Sequence, residues 1–203
     1  MIRRILTRIT LALTAALSLA FTPLAAQDFN TGLDAYNSGD YAAALREWRP
    51  LAEKGNAVAQ TELGWMYKEG QGVLQDYAEA VRWYRLAAEQ GDDRAQNYLG
   101  YMYDFGLGVP ADDAEGVSWY RLAAEQGNSY AQTDLGWMYQ NGLGVPQDNI
   151  LAHMWYNIGA ANGRELGGRN RDSIADGMTR KAIEQAQAMG RECMTSNYQK
   201  CGY

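Results

Sequence analysis

The sequence predicts an all-α solenoid, in which antiparallel helix pairs stack along one axis. Three consecutive segments, 55–90, 91–126 and 127–162, align without gaps, and the first two are identical at 22 of 36 positions. Each segment also contains two amphipathic helical patterns separated by a glycine-bearing loop. This period is typical of helical repeats, whose apolar faces are buried only when neighbouring pairs stack.

Residues 1–26 predict a secretory signal. Three arginines at positions 3, 4 and 8 precede an apolar run over 9–21, and small residues lead to a cleavage site after Ala26. The alternative is an uncleaved N-terminal anchor, although the run is short for a membrane span. No cysteine lies near the cut, so no lipid-modified N-terminus is expected. We therefore expect a periplasmic or secreted protein without stable membrane insertion after cleavage.

The charge of the chain limits the classes of partner. The formal net charge is −6, and it becomes −9 once the three arginines of the signal are removed. A surface this acidic repels phosphates, so neither nucleic acid nor anionic lipid is expected as the main partner.

Residues 27–54 predict an N-terminal helix pair. A short first helix runs from Phe29 to Asn37, a tight turn follows at Ser38 and Gly39, and Asp40 opens the second helix.

The three repeats share one plan. In the first helix of the first copy, Ala59, Leu63 and Tyr67 recur along one face, and Gly64 allows close approach of the second helix. A Gly-x-Gly-Val loop then ends the first helix, and an aspartate caps the second. These capping residues are Asp76, Asp112 and Asp148. The second helix places Trp-Tyr pairs among small residues, as tight helix packing requires.

Residues 163–203 predict a helical cap. A degenerate first helix spans Gly163 to Asp176, and Thr179 caps a last helix that runs from Arg180 to about Met194. Cys193 and Cys201 are expected to form a disulfide if the chain is exported, and free thiols are the alternative.

The motifs Ala59-Gln60 to Tyr67, Gly70 to Asp76 and Ala80 to Ala88, with their two later copies, resemble the Sel-1-like repeats, which are relatives of tetratricopeptide repeats. The resemblance implies a right-handed α/α superhelix and a role as an adaptor or assembly scaffold. Some secreted members with a disulfide in each repeat are linked to β-lactams. The present repeats lack those cysteines, so that association does not transfer.

The inventory of reactive groups favours a protein that is not an enzyme. The single histidine, His153, occupies a repeat position held by valine in the earlier copies. General-base catalysis needs a partner and a pocket, and none is evident in the sequence. No cofactor motif and no metal-ligand spacing is present, so neither a cofactor nor a metal is expected.

A candidate ligand groove follows from the face of each first helix opposite Leu63 and Tyr67. By resemblance to tetratricopeptide stacks, this face lines the concave side of the superhelix. Aromatic residues there would form a ladder, while the alternative is that the tryptophans pack into the core. The candidate groove residues are Trp65, Arg94, Asn97, Tyr101, Asp104, Tyr130, Trp137 and Gln140.

Three functions remain open. The leading hypothesis is an exported, non-catalytic adaptor of the cell envelope that holds a protein segment in its concave face. The second is a protein that interacts with peptidoglycan, another glycan or a β-lactam, with weak hydrolase activity as an option. The third is a purely structural role within a larger secreted assembly.

Overall fold

The computed structural model describes residues 28–202, and all regular secondary structure in this range is α-helical. The predicted all-α class is confirmed. The ten helices of this range are α1 (Phe29–Asn37), α2 (Tyr41–Glu53), α3 (Ala57–Glu69), α4 (Tyr77–Ala88), α5 (Asp93–Asp104), α6 (Asp113–Ala124), α7 (Ser129–Asn141), α8 (Asn149–Ala161), α9 (Glu165–Ala175) and α10 (Arg180–Thr195).

Short polar side chains start the helices where the sequence predicts. The carboxylates of Asp76, Asp112 and Asp148 accept hydrogen bonds from backbone N–H groups in the first turns of α4, α6 and α8. Thr179 caps α10 in the same manner. Gly70 ends α3 with φ of 69°, a left-handed conformation that favours glycine.

Each helix pair closes where a tyrosine ring crosses a glycine. The rings of Tyr84, Tyr120 and Tyr156 lie against glycines of α3, α5 and α7, and a Cβ built on any of these glycines would come within 2.7 Å of the ring. All three tyrosines are buried. The helices pack in chain order, and α10 folds back onto α8 to cover the end of the stack.

Buried glutamines join successive pairs. Gln60, Gln96 and Gln132 each donate a side-chain hydrogen bond to a carbonyl in the last turn of the preceding second helix, at 3.0–3.1 Å. Their side-chain oxygens accept a further bond, at 2.7–2.8 Å, from the residues that follow the next second helix, Gln90, Gln126 and Asn162. One buried amide in each repeat therefore holds three helices in register.

The C-terminal segment is closed by Cys193 and Cys201. Their sulfur atoms lie 1.95 Å apart, so the predicted pairing is confirmed as a pair at disulfide distance. Between them, the hydroxyl of Tyr198 accepts a hydrogen bond from the amide of Asn162 at 2.8 Å, which ties the closed loop to the end of α8.

The predicted signal, residues 1–26, lies outside the described residues. Within residues 28–202, every helix is too short or too polar to cross a membrane.

Candidate functional site

The first helices α3, α5 and α7 line an open cleft. Its volume is about 610 Å³. Four of the predicted groove residues line it, namely Trp65, Arg94, Asn97 and Tyr130. The other four, Tyr101, Asp104, Trp137 and Gln140, do not line it but lie further along α5 and α7 on the same side of these helices. We call this side of α3, α5 and α7 as a whole the first-helix face. Sequence reasoning missed four lining residues, which are Asp93, Tyr98, Asn128 and Ser129.

The aromatic residues of the first helices differ in exposure. Tyr101 is 37% exposed, Trp137 is 47% exposed and Tyr130 is 55% exposed. Phe105, which stacks on Tyr101 with ring centroids 4.5 Å apart, is 58% exposed. Large apolar side chains seldom remain this accessible together without a partner surface. Tyr101 and Trp137 therefore present partly exposed aromatic side chains at equivalent positions of successive repeats.

Trp65 has a different environment from its two equivalents. Its indole N–H donates to the hydroxyl of Tyr36 at 2.9 Å, and its ring packs on Tyr98 at 5.4 Å between centroids. Lys68 lies over the same ring at 4.6 Å. Trp65 is half-buried in the cleft wall, so only two of the three expected rungs, Tyr101 and Trp137, are substantially exposed.

Several polar side chains of the first helices are inside the protein. Asn97 is only 8% exposed, and its amide donates to Asp134 at 3.2 Å. Thr61 and Thr133, which lie on the same face of their helices, are also buried and donate to carbonyls one turn back. Their burial is tolerated because each of these polar side chains forms a hydrogen bond within the protein. Asn97 thus lines the cleft as a buried, hydrogen-bonded side chain.

Charged groups in the half of the first-helix face between α3 and α5 are paired. Arg94 contacts Glu62 at 2.7 Å across α3 and α5. Lys68 contacts Glu69 at 2.5 Å. Glu62 was missed by sequence reasoning, because its repeat equivalents are Tyr98 and Asp134, and no shared chemistry marks the position.

Two carboxylates, those of Asp104 and Asp134, lie in the half of the first-helix face between α5 and α7. Burial raises the pKa of Asp134 to about 6, and the hydrogen bond from Asn97 only partly offsets this effect. Burial, with a smaller contribution from the charge of Asp113, also raises the pKa of Asp104. The hydroxyl of Tyr120 lies 3.4 Å from Asp104, and Gln140 accepts from the hydroxyl of Tyr156 at 2.6 Å.

His153 lies away from this cleft. It is 2% exposed on α8, and burial lowers the pKa of its imidazole, with a further contribution from Arg171. Within residues 28–202, no group of three histidine, cysteine, aspartate or glutamate side chains is arranged to hold a metal ion. The cleft offers aromatic faces, amides and carboxylates, which are groups suited to binding.

The repeats match a known family model. The model described as Sel1 repeat matches residues 57–92, 93–128 and 129–163, starting each copy two residues later than our sequence alignment. Together these matches cover more than half of the chain. No curated protein matches it.

Two solved structures are similar to the chain. One is a protective antigen from uropathogenic Escherichia coli strains with an SLR fold, at 37% identity and a TM-score of 0.70, covering 86% of this chain and 38% of that one. The other is a Sel1 repeat protein from Oxalobacter formigenes, at 31% identity and a TM-score of 0.70, covering 82% of this chain and 68% of that one. The present chain thus spans well under half of the first relative.

The helix-pair stack, the recurring motifs and these matches agree, and the chain belongs to the Sel1 repeat family.

Proposed function

We propose that this chain is an exported, non-catalytic scaffold that binds a protein segment along its first-helix face, across the cleft and the exposed aromatic residues beside it. The observation that carries the proposal is the exposure of Tyr101 and Trp137 at equivalent positions of successive repeats. Aromatic side chains combine a large apolar face with low conformational entropy, so they are favoured at binding surfaces. Sel1 repeats as a family suggest protein–protein interaction, and the cleft supports that reading here.

The dimensions of the cleft favour an extended segment. A volume of about 610 Å³ lies within the range of sites that enclose a small ligand or a few side chains. The cleft is open and spans three first helices, so a chain can enter and leave at either end. The Ser129 hydroxyl at its wall suits a peptide backbone, whereas the amide of Asn128 already caps α7 and donates to Asp93.

The first experiment is a crosslinking pull-down of the chain from intact cells. The test variant is Tyr101→Ala/Trp137→Ala, which leaves Trp65 unchanged because that side chain supports the fold through Tyr36 and Tyr98. The matched control is Leu86→Ala/Leu122→Ala. These leucines are 37% and 45% exposed, close to the 37% and 47% of the test pair, and they lie on the second helices α4 and α6.

A protein partner captured by the wild type and the leucine control, but lost with the aromatic variant, supports the first-helix face as the binding site. Equal capture by all three chains would contradict it. Sedimentation of the chain with insoluble peptidoglycan, with no protein captured, would instead favour a glycan ligand. Fractionation of the same cells tests export, because the proposal expects the chain outside the cytoplasm with residues 1–26 removed.

A further inference from the structure

The two halves of the first-helix face differ in how their charges are compensated. In the half between α3 and α5, Glu62 is paired with Arg94 at 2.7 Å and Glu69 with Lys68 at 2.5 Å. Lys68 also lies over the rings of Trp65 and Tyr101, at 4.6 Å and 5.6 Å from their centroids. The cations of this half therefore already have carboxylate and aromatic partners within the chain.

The half between α5 and α7 has carboxylates without such partners. Neither Asp104 nor Asp134 forms an ion pair with any residue in 28–202. Their hydrogen bonds come from neutral groups, Tyr120 for Asp104 and Asn97 for Asp134. Arg164 attracts Asp134 from further away, but its guanidinium is stacked over Tyr130 at 4.2 Å.

The two exposed aromatic residues flank these carboxylates. Tyr101 lies three residues before Asp104 on α5, and Trp137 lies three residues after Asp134 on α7. A spacing of three residues places side chains on the same face of a helix. Carboxylates and exposed aromatic side chains therefore occur together on the two helix surfaces that form this half of the first-helix face.

This combination has a complement in protein chemistry. A cation over the face of tryptophan or tyrosine gains about 0.5–2 kcal/mol, and more as water is excluded. Hydrogen bonds from a cation to a carboxylate are about twice as strong as those between neutral groups. The half between α3 and α5 contains the same type of contact within the chain, because Lys68 lies between Glu69 and the rings of Trp65 and Tyr101.

Building on the proposed function, we propose that the half of the first-helix face between α5 and α7 binds a lysine or arginine side chain of the bound protein segment. The basic group is held by Asp104 and Asp134 and flanked by Tyr101 and Trp137. The partner is thus a segment with an accessible basic residue among apolar neighbours, which would also pack on Phe105 and Tyr130.

The proposal entails a dependence on pH. The groups that face Asp134 are Asp104 and Asn97 from α5, Arg164 from the turn before α9, and the hydroxyls of Tyr120 and Tyr156. Because burial raises the pKa of Asp134 to about 6, the carboxylate gains a proton as the pH falls through that value. A basic ligand is therefore bound more tightly at pH 7.5 than at pH 5.

The test begins with selection of phage-displayed random dodecapeptides on the immobilised chain without residues 1–26. A synthetic version of the most enriched peptide is then titrated against four chains. These are the wild type, Asp104→Asn/Asp134→Asn, the charge-matched control Glu89→Gln/Glu192→Gln and the aromatic variant Tyr101→Ala/Trp137→Ala. Circular dichroism and thermal melts establish that each variant is folded.

The expected result is enrichment of lysine or arginine beside apolar residues. The dissociation constant should rise by at least about tenfold in both the aspartate and the aromatic variants, a loss of about 1.4 kcal/mol, and should stay unchanged in the control. Changing the basic residue of the peptide to glutamine should weaken binding to the wild type equally, with little further loss in the aspartate variant.

Other outcomes separate the inference from the function on which it rests. Peptides that need Tyr101 and Trp137 but carry no basic residue, and bind the aspartate variant normally, would overturn the inference and leave the scaffold intact. Failure to select any peptide that depends on Tyr101 and Trp137 would contradict both. Binding of spermidine alone with the same dependence on the two aspartates, and no peptide selected, would identify a free polyamine and overturn the peptide ligand.

Discussion

At the scale of single residues, one contact serves both the fold and the cleft. The ring of Tyr120 crosses Gly100, and its hydroxyl continues to Asp104 on the cleft side of α5. In the next repeat, the ring of Tyr156 crosses Gly136 and its hydroxyl donates to Gln140. Because Gly100 and Gly136 have no side chain, the tyrosine ring of the second helix can cross the first helix and place its hydroxyl at the first-helix face.

Replacing Gly100 tests this contact. Alanine gains about 0.5–1 kcal/mol over glycine inside a helix. Its Cβ, however, would lie 2.7 Å from the Tyr120 ring and 3.1 Å from the carbonyl of Gly116, and overpacking of this kind costs about 1–3 kcal/mol. We expect Gly100→Ala to lower the free energy of unfolding by about 1–2 kcal/mol, measured by urea denaturation.

Gly168 provides the matched control for Gly100. It lies inside α9, and a Cβ there would meet only the Ala160 side chain at an ordinary 3.7 Å. Gly168→Ala should therefore be neutral or stabilising. Equal effects of the two substitutions would contradict the role given to the tyrosine crossing.

Asp134 is expected to make stability depend on pH. Its folded pKa of about 6 lies above the unfolded value of about 3.9, so its contribution is most favourable below pH 4 and is lost as the pH rises through 6. Asparagine cannot ionise and avoids that loss. The stability of Asp134→Asn relative to the wild type should therefore increase between pH 4.5 and pH 7.5 in urea denaturation. A difference that stays constant or shrinks over this range would contradict the raised pKa.

At the scale of helices and loops, the sequence predicts elements better than the residues between them. Apolar periodicity, capping aspartates and Gly-x-Gly-Val loops place α3 to α8, because these signals act within one helix or turn. The burial of Gln96 and Asn97 depends on partners about 30 or more residues away, Gln126 and Asp134. A polar residue with a distant partner looks like a surface residue in sequence, so the cleft was predicted in outline and several of its lining residues were missed.

Gln96 is the element-scale test. Its side chain donates to the Ala88 carbonyl at 3.1 Å and accepts from Gln126 at 2.7 Å, thereby linking α4, α5 and the end of α6. Gln96→Leu keeps most of the volume but removes two hydrogen bonds of about 0.5–1.5 kcal/mol each, and leaves the Ala88 carbonyl only its bond from the Gly91 N–H. Gln126→Ala removes only the bond from a largely exposed side chain, so a loss below about 1 kcal/mol is expected. Similar losses from both would contradict the joining role of Gln96.

At the scale of the whole molecule, contacts run almost entirely between neighbours in the chain. Each second helix touches its own first helix and the next one, and the main exception is the return of α10 onto α8. In such stacks stability is roughly a sum of local units and their interfaces, so a perturbation at one end spreads only as far as coupled contacts carry it. The C-terminal loop is coupled to the stack through the Asn162 contact with Tyr198, and Asn162 also donates to Gln132 on α7.

Opening the Cys193–Cys201 pair tests how far that coupling extends. In the chain-entropy description, a closed loop of this length stabilises the fold by about 2–3 kcal/mol. We expect Cys193→Ser/Cys201→Ser to accelerate amide hydrogen exchange in α10 and in the last turn of α8, where Tyr198 contacts Asn162. Exchange in α1 to α4 should remain at the wild-type rate, because the main contacts of the cap are with α7 and α8. Faster exchange along the entire chain would mean that the stack unfolds as one cooperative unit, and the nearest-neighbour description would then be wrong.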